Sequence, residues 1–169
     1  LTPVEPPAGD TMNISATYTS NEAFMTSSTD YRGVKTNYDY NTVDGTLKSL
    51  TENTDGKFNS QSRTTEYTYD NNTKALKSVT LKDGQNVFQN TYTYNSATLL
   101  STNRHNGFDY IFIYDEFGNM KETKVGSRTL MRNEYNARNG KILSSTYGNG
   151  DKIQYTYDNF ERLSQINRD

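Results

Sequence analysis

The chain has 169 residues, 31% of them hydrophobic and 22% charged, with a formal net charge of −2. Its 14 tyrosines supply much of the apolar bulk, and about a quarter of the chain is threonine or asparagine, residues of strands and turns. This excludes a helical bundle, a coiled coil and a basic nucleic-acid-binding domain, and the absence of cysteine excludes disulfides and thiolate metal sites.

All three prolines lie in the first seven residues, so residues 1–10 read as a Pro-rich linker or tail without the features of a secretion signal. Residues 11–169 are built from a repeat. After a degenerate copy at Tyr18 come Tyr38-Asp39-Tyr40-Asn41, Tyr67-Thr68-Tyr69-Asp70 and Tyr92-Thr93-Tyr94-Asn95. Phe112-Ile113-Tyr114-Asp115, Asn133-Glu134-Tyr135-Asn136 and Tyr155-Thr156-Tyr157-Asp158 complete the series. The second aromatic recurs at 40, 69, 94, 114, 135 and 157, a period of a repeated supersecondary unit.

The unit is a β-hairpin. Phe108, Tyr110, Phe112 and Tyr114 alternate with period two, as do Ile153, Tyr155 and Tyr157. A turn follows each motif, and a second strand begins at Leu47, Leu76, Leu100, Met120, Ile142 or Leu163. A second set of turns interleaves: Arg32-Gly33, Asp55-Gly56, Asp83-Gly84, Asn106-Gly107, Gly126-Ser127 and Gly148-Asn149-Gly150. Two turns per repeat mean two strands per repeat, and Asn-Gly or Asp-Gly suits tight hairpins because the central positions take positive φ. About a dozen strands follow, too many for a flat open sheet, so the expected fold is all-β: repeated antiparallel β-hairpins in one long meander sheet that curls.

Chemistry is sparse. The aromatic ladder of Tyr38, Tyr40, Tyr67, Tyr69, Tyr92, Tyr94, Phe112, Tyr114, Tyr135, Tyr155 and Tyr157 reads first as packing that holds register, and second as a stacking surface for sugars. Asn41, Asp70, Asn95, Asp115, Asn136 and Asp158 read as turn formers that accept a backbone N–H. The segment from Asp39 to Leu50 fails the calcium-loop spacing, with Gly45 at position seven and Leu50 at position twelve. The single histidine, His105, sits in a turn and supports neither a triad nor a zinc site, so the chain reads as non-enzymatic and without cofactor. The longest apolar run, Tyr110 to Tyr114, is far too short to span a membrane.

These residues resemble the tyrosine-aspartate (YD) or Rhs repeat family, whose unit is aromatic-x-Tyr-Asp-x-x-Gly-Arg-Leu. Residues Tyr155 to Leu163 match it with Glu161 for Gly, and Phe112 to Met120 match it with Asn119-Met120 for Arg-Leu. Thr29-Asp30-Tyr31-Arg32-Gly33 is similar to the family's Asp-x-Arg-Gly turn. The departures are Asn41, Asn95 and Asn136 in place of Asp, and one extra turn residue after Tyr40, Tyr69 and Tyr135. The resemblance implies an internal segment of a shell wall in a secreted or cell-surface bacterial toxin-like protein, enclosing a C-terminal effector. Its partners are then neighbouring YD repeats and an enclosed effector. The alternative it implies is an extracellular adhesion module that binds a surface glycan or protein through the Tyr-rich face.

Overall fold

The structure is a computed structural model that describes residues 13–53 and 61–169. The Pro-rich segment 1–10 and the Asp55-Gly56 turn lie outside the described residues. Seven hairpins follow one another. Their strands are β1 (Ser15–Tyr18) and β2 (Met25–Thr29), β3 (Lys35–Tyr40) and β4 (Leu47–Glu52), β5 (Arg63–Tyr69) and β6 (Leu76–Asp83), and β7 (Asn86–Tyr94) and β8 (Leu100–His105). The rest are β9 (Phe108–Tyr114) and β10 (Met120–Val125), β11 (Arg128–Tyr135) and β12 (Ile142–Tyr147), and β13 (Lys152–Tyr157) and β14 (Leu163–Arg168). All 14 strands are antiparallel to their neighbours and ordered as in the sequence, with no helix among the described residues. The chain divides into two compact units between Gln89 and Asn90, inside β7.

Each motif ends the first strand of a hairpin, and the predicted apolar residue opens the second. Every hairpin carries the same irregularity. Tyr69 pairs with Leu76 while Thr68 pairs with Ser78, leaving Lys77 as an extra residue. The same slip falls at Thr26, Lys48, Ser101, Lys121, Leu143 and Ser164. A β-bulge of this kind bends its strand and adds local right-handed twist. Placed once per hairpin, it gives the repeat a fixed local geometry that alternation alone does not specify.

Five of the joints between hairpins share one register. The residue two places after the start of the even strand pairs with the residue three before the motif's second aromatic. In the first unit these pairs are Ser27↔Asn37 and Ser49↔Glu66. In the second they are Thr102↔Ile111, Glu122↔Arg132 and Ser144↔Gln154. Each ladder ends at that pair on the motif-turn side, so the hairpins separate beyond it.

A hydrophobic core is missing among the described residues: no apolar side chain is fully buried. The least accessible residues include Ser144 at 3%, Ser145 at 4% and Asn133 at 6% exposure. In these hairpins, the buried short side chains pair with polar side chains of the neighbouring strand. Thr68 Oγ1 lies 2.6 Å from Ser78 Oγ, and Ser145 Oγ donates to Asn133 Oδ1 at 2.8 Å. The bulk of the ladder rings are half-buried, with Tyr94 slightly more open at 37%.

Candidate functional site

A recurring feature of the hairpins is a joint made by the motif's second tyrosine. Tyr69 Oη donates to the carbonyl of Leu47 at 3.0 Å, and Tyr114 Oη to that of Leu100 at 2.9 Å. Tyr135 Oη reaches the carbonyl of Met120 at 2.9 Å, and Tyr157 Oη that of Ile142 at 3.0 Å. Each acceptor is the first residue of the preceding hairpin's second strand, just before its bulge. The inter-hairpin ladder has already ended there, so the carbonyl lacks a strand partner on that side and the phenol supplies one. Burial pushes the Tyr69 phenol above its ordinary pKa, which keeps it a neutral donor.

Other ladder residues adapt the joint. Tyr40 packs its ring on Phe24 of the preceding turn, with centroids 4.9 Å apart. Tyr38 Oη lies 3.0 Å from Ser28 Oγ on the adjacent strand. Asn133, standing where most copies have an aromatic, directs Nδ2 to the same Met120 carbonyl at 2.9 Å and to Tyr135 Oη at 3.2 Å. Tyr67, Tyr92, Phe112 and Tyr155 lie half-buried on the same alternating faces as their motif partners.

The turn residues form a second layer of order. Asp115 Oδ1 accepts the N–H groups of Phe117 at 3.0 Å and Asn119 at 2.9 Å, and Oδ2 accepts Asn119 Nδ2 at 2.9 Å. Asp158 accepts the N–H of Phe160 and of Arg162, each at 2.9 Å, and Arg162 Nε at 2.8 Å. Asn95 accepts from Ala97 and Leu99 at 3.0 Å, Asn136 from Arg138 at 2.9 Å, Asn41 from Val43 at 3.1 Å, and Asp70 from Asn72 and Thr73 at 2.9 Å. One side-chain oxygen suffices, which is why Asn and Asp share the position. Hydrogen bonds to the charged carboxylate hold the Asp70, Asp115 and Asp158 pKa values below the ordinary range.

The extra turn residue after Tyr40, Tyr69 and Tyr135 has a visible effect. Asn41, Asp70 and Asn136 close their loops by donating N–H to the carbonyls of Thr46, Ala75 and Lys141, five residues on. Asn95, Asp115 and Asp158 close on Leu99, Asn119 and Arg162, four residues on. The degenerate first copy uses Thr19, whose Oγ1 accepts the Phe24 N–H at 3.2 Å. Arg32-Gly33, read as part of an Asp-x-Arg-Gly turn, lies in a turn organised by Asp30, which accepts the N–H of Arg32 and Val34, each at 2.9 Å. Asn106 and Gly107 do both take positive φ, 49° and 80°.

Turns also touch the turns before them. Lys74 Nζ meets Asp44 Oδ2 at 2.8 Å, holding the Asp44 pKa at about 2 with help from Thr46. Lys141 Nζ sits 4.9 Å from the centre of the Tyr157 ring, bonds the Glu161 carbonyl and lies 3.3 Å from its carboxylate. Along the turn edge, a 580 Å³ cleft lies between the Asp115 and Asn136 turns, lined by Phe117, Lys121 and Tyr135 among others. Within the strands, Glu122 is 8% exposed and accepts Thr129 Oγ1 at 2.7 Å and Arg132 Nη2 at 2.9 Å. Sequence reading passed over it, because a glutamate in a Lys-rich strand carries no mark of burial. His105 is exposed and its ring bonds Asn90 and Asn106.

No protein-family model matches the chain, and no curated protein matches it in sequence. Solved structures do match. The crystal structure of TcdB2-TccC3 aligns over 94% of this chain and 10% of its own, with a TM-score of 0.55 and 16% identity. The Photorhabdus luminescens Tc holotoxin pore aligns over 95% of this chain and 10% of its own, with a TM-score of 0.54 and 16% identity. The fold is related to theirs. TcdB2-TccC3 without its hypervariable C-terminal region aligns as well, with a TM-score of 0.56 and 15% identity. The chain spans about a tenth of the length of these toxin chains. The region in common with TcdB2-TccC3 is thus the hairpin meander itself.

Proposed function

We propose that this chain is a structural YD/Rhs-repeat segment, part of the wall of a secreted or cell-surface bacterial toxin-like shell that encloses a C-terminal effector. It works by geometry and carries out no catalysis. The observation that carries this reading is the repeated Tyr-hydroxyl-to-carbonyl joint at Tyr69, Tyr114, Tyr135 and Tyr157. A tyrosine whose hydroxyl closes a backbone gap and whose ring is half-buried is engaged in holding hairpins together. The same joint can be repeated indefinitely, which is what an extended wall requires. The fold relation to Tc toxin structures supports the same reading.

The experiment is a titration of the chain with a mixed glycan panel, followed at the tyrosine ring resonances. A wall segment leaves those resonances unmoved at millimolar glycan. Saturable shifts confined to one row of tyrosines would overturn the reading in favour of an adhesion module.

A further inference from the structure

An asparagine followed by glycine is chemically labile, because the unhindered glycine nitrogen can attack the asparagine side chain and expel its amide. The chain has three such pairs, Asn106-Gly107, Asn139-Gly140 and Asn149-Gly150. Their surroundings differ. Gly140 N–H donates to the Asn136 carbonyl at 2.8 Å, and Gly150 N–H to the Tyr147 carbonyl at 2.9 Å. Asn139 and Asn149 also engage their side-chain oxygens, with the N–H groups of Lys141 at 3.2 Å and Asp151 at 3.1 Å. Both nitrogens that would attack are therefore held.

Asn106 and Gly107 are the two exposed residues of the turn between β8 and β9, closed by the His105↔Phe108 pair. The ladder ends at that pair, so the Gly107 N–H stays outside it, with no acceptor among the described residues. Nothing lies within 4 Å of where a Gly107 Cβ would stand, so the turn has room to rearrange. The Asn106 amide meanwhile rests on a base. His105 Nδ1 faces Asn90 Oδ1, an oxygen that can only accept, so Nδ1 carries the ring proton. Nε2 is left as the acceptor, and Asn106 Nδ2 donates to it at 2.9 Å.

We propose that Asn106 is a self-modification site, where the chain converts its own asparagine to aspartate or isoaspartate with His105 as general acid. The Gly107 nitrogen loses its proton to solvent and bonds to Asn106 Cγ, pushing the C=O electron pair onto oxygen. Nδ2 then sits on a tetrahedral carbon and has a free electron pair. It takes the proton that solvent has placed on His105 Nε2. The C–N bond breaks with its electrons leaving on ammonia, the C=O re-forms, and a succinimide ring is closed. Water opens the ring at either carbonyl, so one water is consumed for each ammonia released. Both products set a carboxylate beside His105, and isoaspartate adds a backbone atom to a two-residue turn. The inference is independent of the wall reading, since each chain reacts once, on itself, and turns over no substrate.

Peptide mapping by mass spectrometry tests this on the intact folded chain, following all three asparagines through incubation at neutral pH. Asn106 should convert about tenfold faster than Asn139 or Asn149, whose glycine N–H bonds must break first. His105→Gln keeps a hydrogen-bonding side chain but has no proton to transfer. It should slow Asn106 about tenfold, less than a general acid supplies in an enclosed site. The Asn139 and Asn149 rates should stay at the parent's values in that variant, which also verifies its fold. A folded parent in which Asn139 or Asn149 keeps pace with Asn106 overturns the proposal. So does a His105→Gln chain that loses Asn106 at the parent's rate.

Discussion

Tyr157 Oη lies 3.0 Å from the carbonyl oxygen of Ile142, a residue 15 positions earlier on the preceding hairpin. The bulge at Leu143 and the early end of the β12–β13 ladder at Ser144↔Gln154 leave that carbonyl for the phenol. The Tyr157 ring also carries Lys141 Nζ at 4.9 Å, so one side chain joins two hairpins by two kinds of contact.

Tyr157→Phe and Tyr114→Phe should each cost about 1 kcal/mol, the net value of one hydrogen bond with its acceptor left open. Tyr157→Ala should cost about 2–3 kcal/mol, below the figure for a fully buried aromatic because the ring is only half-buried. Urea melts measure both. Phe variants that melt with the parent would show that the joint contributes nothing to stability.

Asp115→Asn should change stability by less than about 0.5 kcal/mol, because Asn41, Asn95 and Asn136 organise the same turn through Oδ1 alone. Asp115→Ala should cost about 1–2 kcal/mol, comparable to loss of a helix cap, since it leaves the Phe117 and Asn119 N–H groups without that acceptor. Thermal melts of the pair separate the oxygen from the charge. Equal losses in both variants would show that charge is what matters.

Thr98 holds φ at 61°, a left-handed backbone that a β-branched residue adopts at a cost. In the equivalent short turn Gly118 takes φ 85°. Thr98→Gly should therefore stabilise the chain by about 0.5–1 kcal/mol, read as a higher midpoint in urea. A lower midpoint would mean that the threonine side chain contributes more than the strain removes.

Gly148 is required for a different reason. A Cβ added there would come within 2.5 Å of the Thr129 carbonyl oxygen, and the Gly148 N–H already donates to Leu130 O at 2.8 Å. Gly148→Ala should destabilise by about 2–4 kcal/mol, because backbone must move to admit the methyl group. Hydrogen exchange across β11 and β12 should rise in the variant. Unchanged protection there would contradict the close approach.

Acid should weaken a turn contact at Asp44 and a strand contact at Glu122 first. Asp44 and Glu122 titrate at about 2 in the folded chain, held down chiefly by Lys74 and by Thr129. Their ordinary values are 3.8 and 4.5, so between about pH 4.5 and 2 the unfolded chain binds more protons. The stability they contribute is complete above that window and is lost as pH falls through it. Melting temperatures at pH 6, 4, 3 and 2 should therefore decline with steepening slope, whereas a flat profile would contradict the depressed carboxylates.

Much of this architecture is legible in the residues themselves. Alternation at Phe108 to Tyr114 places β9, and the residues that open the second strands, from Leu47 to Leu163, open them in the structure. The Asx turns are equally legible, because Asp115 and its partners Phe117 and Asn119 lie within five residues and a side-chain oxygen meets local N–H groups wherever the chain turns. The extra residue after Tyr40, Tyr69 and Tyr135 is visible as spacing and emerges as a longer loop closure. Nothing local announces the bulges or the tyrosine joints. The residues left over at the bulges, Thr26, Lys48, Lys77, Ser101, Lys121, Leu143 and Ser164, share no chemistry. The acceptors are backbone carbonyls, which every residue has. Which carbonyl is left open depends on where two ladders end in space, and only the paired hairpins set that. The same physics moved the most buried positions from the tyrosine rows to Ser144, Ser145 and Asn133, since within these hairpins the buried short side chains pair with polar side chains of the neighbouring strand.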